Sequence, residues 1–183
     1  QLQYMENYIN ELEKKLYADN WLSGRGYADD MDLESFVDWW FVYELTFNAE
    51  PNHPKSSYMH KDRLGKLTAG PVWDFDWGTF RPNPNGFAIK NTIYYNRLFQ
   101  DPAFVALVKA RWTMFKPQFE RIYSYIYATA ATLRASDAIN AKMWPISSTV
   151  NGDEKMPFET AIDRMAGNYH DRLVWLDAQI TAM

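Results

Sequence analysis

Apolar residues recur at helical spacing at both ends of the chain. The pattern near the start predicts an amphipathic helix that ends near Asp19. Its apolar stripe consists of Leu2, Met5, Ile9, Leu12 and Leu16. A final helix is predicted from about Phe158, with a stripe of Ile162, Met165, Tyr169, Leu173, Leu176 and Ile180. The chain from residue 87 onward is predicted to be helical, with breaks near Pro117, Ser136 and Pro145 and in the polar stretch 151–157.

A second predicted helix covers residues 33–48, LESFVDWWFVYELTFN. Asp32 precedes it as a candidate N-cap, and Glu34 lies in its first turn. The stretch is apolar nearly all round, which is typical of a helix at the centre of a core. The segment before it, WLSGRGYADD, contains two glycines and is predicted to be a loop.

Residues 57–76 alternate in a way that predicts a β-hairpin. Its strands are Ser57 to Lys61 and Lys66 to Asp76, joined by the turn DRLG. Pro71 has no N–H for a sheet ladder, so the second strand is predicted to be an edge strand or bulged at that point. The predicted fold class is therefore α+β and mainly helical, with a small antiparallel hairpin packed among helices, in a single domain over 1–183.

Composition supports a packed core and excludes several function classes. Hydrophobic residues make up 47% of the chain and aromatic residues 17%, with eight Trp. A net charge of −4 gives no global attraction to nucleic acid or anionic membranes. No apolar run approaches the roughly 18 residues that a membrane span needs. The absence of Cys excludes disulfides and thiolate metal sites.

The stretch GPVWDFDWGTF places two acidic residues, Asp74 and Asp76, among aromatic ones. In a strand, residues two apart share a face and lie about 6–7 Å apart, so the two carboxylates are expected to converge while Trp73, Phe75 and Trp77 pack on the other face. Such a pair can bind one Mg²⁺ or Mn²⁺ together with a substrate phosphate. The alternative is a solvent-facing acidic pair at the end of an amphipathic strand, and the spacing alone leaves both open.

Other candidate chemistry has less support. His53, His60 and His170 are too scattered for a zinc motif, and solvated or capping histidines are the favoured interpretation. No G-x-S-x-G motif is present, so a hydrolase nucleophile elbow is not indicated. The aromatic residues could line a sugar-binding face, but most recur at core spacing.

The order of motifs between Asp32 and Phe80 resembles the CotH family, the spore-coat-protein-H-type kinases. In that family a helix ends in E-L-x-x-N-x-D, a loop and a strand S-S/T-Y-x-Y/H-K-D follow, and a second strand ends in G-P-x-W-D-x-D. The corresponding stretches here are ELTFNAE, SSYMHKD and GPVWDFD. The later RW helix and the closing R-x-x-W-L-D helix also fit the family.

The resemblance implies a kinase-like fold and transfer of phosphate from ATP to protein Ser, with Mg²⁺ or Mn²⁺ as cofactor. By position, Asp74 and Asp76 are the metal-ligand candidates, with Asp74 preferred. The family's catalytic Asp aligns with Glu50, whose carboxylate lies one methylene farther from the backbone. Asn48 and Ser57 are cofactor-binding candidates, since a loop Asn of active members falls at Ser56 or Ser57.

The chain opens in a helical pattern, and nothing in residues 1–31 matches a nucleotide-covering lobe with a phosphate-binding Lys. It is therefore interpreted as the C-terminal portion of a CotH-type domain. The expected partners are a protein substrate or a cell-surface polymer rather than nucleic acid, and the family implies a bacterial, extracytoplasmic or cell-surface location. Two alternatives stay open: a non-catalytic scaffold or adhesion module (a pseudokinase), and a sugar-nucleotide transferase whose D-x-D holds the metal.

Overall fold

The computed structural model describes residues 2–53, 56–76, 78–82, 85–145 and 156–183. Its helices are α1 (Leu2–Leu16), α2 (Trp21–Gly24), α3 (Leu33–Leu45), α4 (Tyr95–Leu98), α5 (Pro102–Met143) and α6 (Phe158–Ala182). Short 3-10 turns cover Gly26–Asp29 and Glu50–Asn52. Strands β1 (Met59–His60) and β2 (Thr68–Ala69) form an antiparallel pair. The described chain is therefore mainly helical with a small hairpin, as predicted.

Helix α3 lies at the centre of the core, as its apolar sequence predicts. Asp32 caps it by accepting a hydrogen bond from the Ser35 amide at 3.3 Å. The ring of Trp40 packs 4.9 Å from that of Phe99, and the ring of Phe41 lies 5.4 Å from that of Trp112 (centroid distances). The helix ends three residues earlier than predicted, because Phe47 adopts a left-handed φ of 51° that cannot continue a helix.

The hairpin is shorter than predicted. Residues Met59 and His60 pair with Ala69 and Thr68, and β2 ends at Ala69 instead of continuing to Asp76. Gly70 takes a φ of 126°, and Pro71 has no N–H to donate to a ladder. The strand therefore stops where Pro71 signalled an irregularity, and the WDFD stretch follows as an irregular loop.

Helix α5 continues through two positions at which breaks are predicted. It covers 42 residues without interruption, so the predicted breaks near Pro117 and Ser136 are wrong. Pro117 lies on the exposed side of α5. The carbonyl of Thr113, four residues earlier, therefore loses its helical donor where water can replace it. The predicted end near Pro145 is confirmed, and most of the predicted break over 151–157 lies outside the described residues.

Helix α6 packs antiparallel against α5. The indole N–H of Trp112 donates to Asp177 at 2.8 Å, and at the other end Arg134 donates to Glu159 at 2.5 Å. The predicted start of α6 at Phe158 is confirmed, and its predicted stripe is buried or half-buried. None of the helices in the described part of the chain is both long enough and apolar enough to cross a membrane.

Asp101 joins the start of α5 to the first loop of the chain. Its buried carboxylate caps α5 by accepting from the Ala103 amide at 2.8 Å, and it also accepts from Tyr27 and, at 2.6 Å, from Arg25. Burial by itself raises the pKa of Asp101, but the hydrogen bonds from Tyr27, Ala103 and Arg25 outweigh it and leave the pKa below its ordinary value.

Asp101→Asn is expected to lower the free energy of unfolding by about 1–3 kcal/mol at pH 7, because the charge-assisted bonds are lost. A carboxyl whose folded-state pKa is depressed contributes stability above its unfolded pKa and loses it as the pH falls through the folded value. The difference between the two proteins should therefore shrink below about pH 4. Urea unfolding from pH 7 to pH 3, beside Asp19→Asn as an exposed control, measures this; a difference that does not change with pH contradicts it.

Candidate functional site

The loop that carries Asp74 is attached to the C-terminal end of α3. The hydroxyl of Tyr43 donates to the carbonyl of Trp73 at 3.2 Å and accepts from its N–H at 3.4 Å. The amide side chain of Asn48 donates to the carbonyl of Asp74 at 3.2 Å. Phe75 packs its ring 4.9 Å from that of Tyr43. Together these contacts hold the backbone of Trp73 and Asp74 and the ring of Phe75 against the core.

The two aspartates lie on the solvent side of that loop. Asp74 has a φ of 67°, so the pair does not share the face of a strand and that part of the prediction is wrong. Phe75 packs inward as predicted, but the side chain of Trp73 is 57% exposed, and Trp77 lies outside the described residues. The two carboxyl groups still interact, because Asp76 is one of the causes that lower the pKa of Asp74.

Ser56 completes the local polar group. Its hydroxyl donates to Oδ2 of Asp74 at 2.7 Å. This hydrogen bond, followed by the interaction with Asp76, lowers the pKa of Asp74 below its ordinary value. Asp74 is therefore ionised at neutral pH and offers a carboxylate to solvent. Ser57, the next residue along the chain, is half-buried.

Glu50 lies at the start of the 3-10 turn that follows α3, and Asn48 links it to the same loop. The N–H of Glu50 donates to Oδ1 of Asn48 at 2.8 Å, while Nδ2 of Asn48 contacts Asp74. Both amide atoms of this buried side chain are thus occupied. Asn48, predicted as a cofactor ligand, is placed as the residue that holds the Glu50 and Asp74 loops together.

The negative charges of Glu50 and Asp74 both act on the hydroxyl of Tyr43. Burial is the first cause that raises the pKa of Tyr43, and the negative charges of Glu50 and Asp74 raise it further. Both charges therefore lie within electrostatic reach of one phenol oxygen. The sequence reasoning missed Tyr43 because it matches the apolar pattern of α3.

The donors present suit a hard cation in part. Asp74, Asp76 and Ser56 offer carboxylate and hydroxyl oxygens, which are the ligand types that Mg²⁺ and Mn²⁺ prefer. Among the described residues no group of three or more acidic or histidine side chains is arranged to hold a metal. A cation here needs water or substrate oxygens to complete its coordination, as is usual for Mg²⁺ bound with phosphates.

Glu44, in the last turn of α3, forms a buried ion pair with Arg172. Oε1 and Oε2 of Glu44 accept from the amides of Ile89 and Ala88 at 2.9 and 2.8 Å, and Oε2 also accepts from Arg172 of α6. Arg172 donates in addition to the carbonyl of Glu44 at 2.7 Å and to that of Gly86 at 2.7 Å. Burial raises the pKa of Glu44, and the two amides and the guanidinium oppose that rise.

The pair also accounts for the left-handed residue at the end of α3. The guanidinium of Arg172 lies 4.5 Å from the ring centroid of Phe47 and 4.6 Å from that of Trp175. This stacking compensates for a φ that disfavours a side chain at Phe47. The sequence signal was present, since Glu44 and Arg172 are the charged residues inside otherwise buried stripes, but their contact was not predicted.

Comparison with known proteins agrees with these motifs. The family described as CotH kinase protein matches residues 1–176, nearly the whole chain. The match includes both the WDFD loop and the Arg172 segment. No curated protein and no solved structure matches the chain. The kinase-like fold therefore stays a prediction made from the family.

Proposed function

The chain belongs to the CotH kinase protein family, and on this premise we propose that it carries the phosphoryl-transfer site of an ATP- and divalent-cation-dependent protein serine kinase. The observation that supports this most is the exposed, ionised Asp74, which accepts a hydrogen bond from Ser56 and is joined through Asn48 to the Glu50 loop. Phosphoryl transfer depends mainly on positioning and on charge stabilisation, and this group of residues can supply both.

Each residue takes a role in this proposal. Asp74 and Asp76 would hold Mg²⁺ or Mn²⁺, which when bound would offset the negative charge of the ATP phosphates. Ser56 orients the carboxylate of Asp74. Glu50 accepts the proton of the acceptor serine hydroxyl. The serine oxygen bonds to the γ-phosphorus of ATP while the bond from that phosphorus to the β–γ bridging oxygen breaks, and ADP leaves. Asn48 keeps the Glu50 and Asp74 loops at a fixed separation.

A second candidate function is a non-catalytic cell-surface scaffold or adhesion module on the same fold. The observation that favours it is Glu50 itself, because its carboxylate is displaced by one methylene relative to the family's Asp. Misplacement on the scale of one ångström can cost about a hundredfold in rate. For either function, an extracytoplasmic or cell-surface location and a protein or surface-polymer partner stay predictions from the family.

Thermal unfolding with and without Mg²⁺ or Mn²⁺, and with and without ATP, tests the cation site. A hundredfold excess of cation over Kd adds about 2.7 kcal/mol to the free energy of unfolding. For a chain of this size that should raise Tm by about 5–10 °C. Asp74→Asn/Asp76→Asn should abolish the rise, because it removes both carboxylate charges at nearly constant volume.

Asp19→Asn serves as the matched control, since Asp19 is an exposed carboxylate outside the site. An equal rise in the double variant places the cation elsewhere and rules out the assignment of Asp74 and Asp76. Absence of a rise in every protein, with and without ATP, favours the scaffold.

A further inference from the structure

The β1–β2 hairpin, residues 58–70, has one free edge in the part of the chain that the structure describes. The other edge of β2 is covered, because Leu67 bridges to Met31 and the Leu67 N–H donates to Asp30 O at 2.7 Å. Strand β1 has β2 as its neighbour in the two-stranded sheet. Among the residues of β1 and its start, Tyr58 and His60 are exposed and Met59 is half-buried.

The register shows which backbone groups point along that edge. The Gly70 N–H donates to the carbonyl of Tyr58, so the opposed pair Met59 and Ala69 is of the non-hydrogen-bonded type. Ala69 accordingly donates outward, to Ser35 Oγ at 3.0 Å. By the same geometry Met59 directs its N–H and C=O away from β2, and they are available to an added strand.

The hairpin carries positive charge on a chain of net charge −4. Lys61, Arg63 and Lys66 surround a single acidic residue, Asp62. Lys66 donates to the carbonyl of Ala28 at 2.8 Å. Lys61 donates to the carbonyl of Asp62 and lies 4.5 Å from the ring centroid of Tyr8. Neither cation forms a salt bridge with a carboxylate among the described residues. Arg63 is exposed and makes no ion pair within the described residues.

Leu64 is an exposed apolar residue, and its contacts do not explain why a leucine occupies this position. It occupies the Asp62–Gly65 turn with a φ of 63°, and its side chain is 93% exposed. Glycine or asparagine is the favoured residue at such a φ. Lysine residues on a free edge strand can be explained as protection against aggregation. An exposed leucine cannot be explained in that way, because an apolar side chain favours association. The side chain of Leu64 is therefore accessible to another molecule.

We propose that the free edge of β1 and the turn at Arg63 and Leu64 form a docking surface for an extended, acidic peptide segment. The segment adds a strand through the outward backbone groups of Met59. Its carboxylates face the positive charges of Lys61 and Arg63, and an apolar side chain covers Leu64. Identifying this segment as part of the protein substrate rests on the proposed function.

Fluorescence anisotropy with a short labelled peptide that alternates Glu with Val tests the surface without any phosphoryl transfer. Arg63→Glu should weaken binding by roughly tenfold and improve binding of the matched peptide with Lys in place of Glu. Leu64→Asn should weaken binding severalfold while Tm stays equal or rises, because Asn tolerates this φ. If Leu64 served only the stability of the fold, the Asn variant would lower Tm together with peptide affinity.

Met59→Pro, compared with Met59→Ala, tests the added strand. Proline removes the outward N–H and leaves the donors of the ladder in place, so it should weaken binding beyond the alanine variant. Glu-peptide binding that is unchanged in the Arg63 and Leu64 variants overturns the proposal, as does equally tight binding of a single-stranded oligonucleotide. Peptide binding without cation-dependent stabilisation would retain the docking surface and reject the kinase assignment alone.

Discussion

Arg172→Met is expected to lower the free energy of unfolding by about 3–5 kcal/mol, because it leaves the Glu44 carboxylate buried without its partner. Both side chains are excluded from solvent, at 0% exposure for Glu44 and 1% for Arg172. The substitution also leaves the carbonyls of Glu44 and Gly86 without these donors. Urea unfolding followed by far-UV circular dichroism measures the loss.

Two further variants separate the ion pair from general packing. Arg121→Met, on the exposed side of α5, should change stability by less than about 0.5 kcal/mol. Glu44→Gln/Arg172→Met should be less destabilised than the sum of the single variants, because removing both charges avoids the unpaired carboxylate. A loss under about 1 kcal/mol for Arg172→Met would show that the pair does not support the fold.

Asp74→Asn is expected to reduce phosphoryl transfer from ATP to protein by about a hundredfold or more. The amide keeps the size of the side chain and an acceptor for Ser56, but it removes the charge that the cation needs. Transfer of ³²P from labelled ATP to a protein substrate measures the effect, with Asp19→Asn as the control. Transfer by Asp74→Asn within twofold of the unmutated rate contradicts the assignment.

The same assay ranks the two aspartates. Asp74 accepts from Ser56 and has the lowered pKa, so Asp76→Asn should lose less activity than Asp74→Asn. If no protein transfers phosphate, including the unmutated one, the non-catalytic module is favoured, in agreement with the presence of Glu50 in place of the family's Asp.

The sequence alone determined the features that depend on neighbouring residues. Periodicity identified α3 and α6, and Asp32 and Phe158 marked their starts. Pro71 marked the irregularity at which β2 ends. The WDFD motif and its spacing from α3 identified the family. These features follow from local backbone preference and from the side on which apolar residues recur, and both are present in a short window of sequence.

Tertiary structure decided the features in which distant segments meet. Glu44 and Arg172 are 128 residues apart, and no local pattern predicts that they pair. Asp74 is positioned by Ser56 and Asn48 rather than by the alternation of a strand. Helix α5 continues past Pro117 because packing against α6 outweighs the loss of one hydrogen bond. In each case the outcome depends on contacts between segments that are distant along the chain, and a short window of sequence does not contain those contacts.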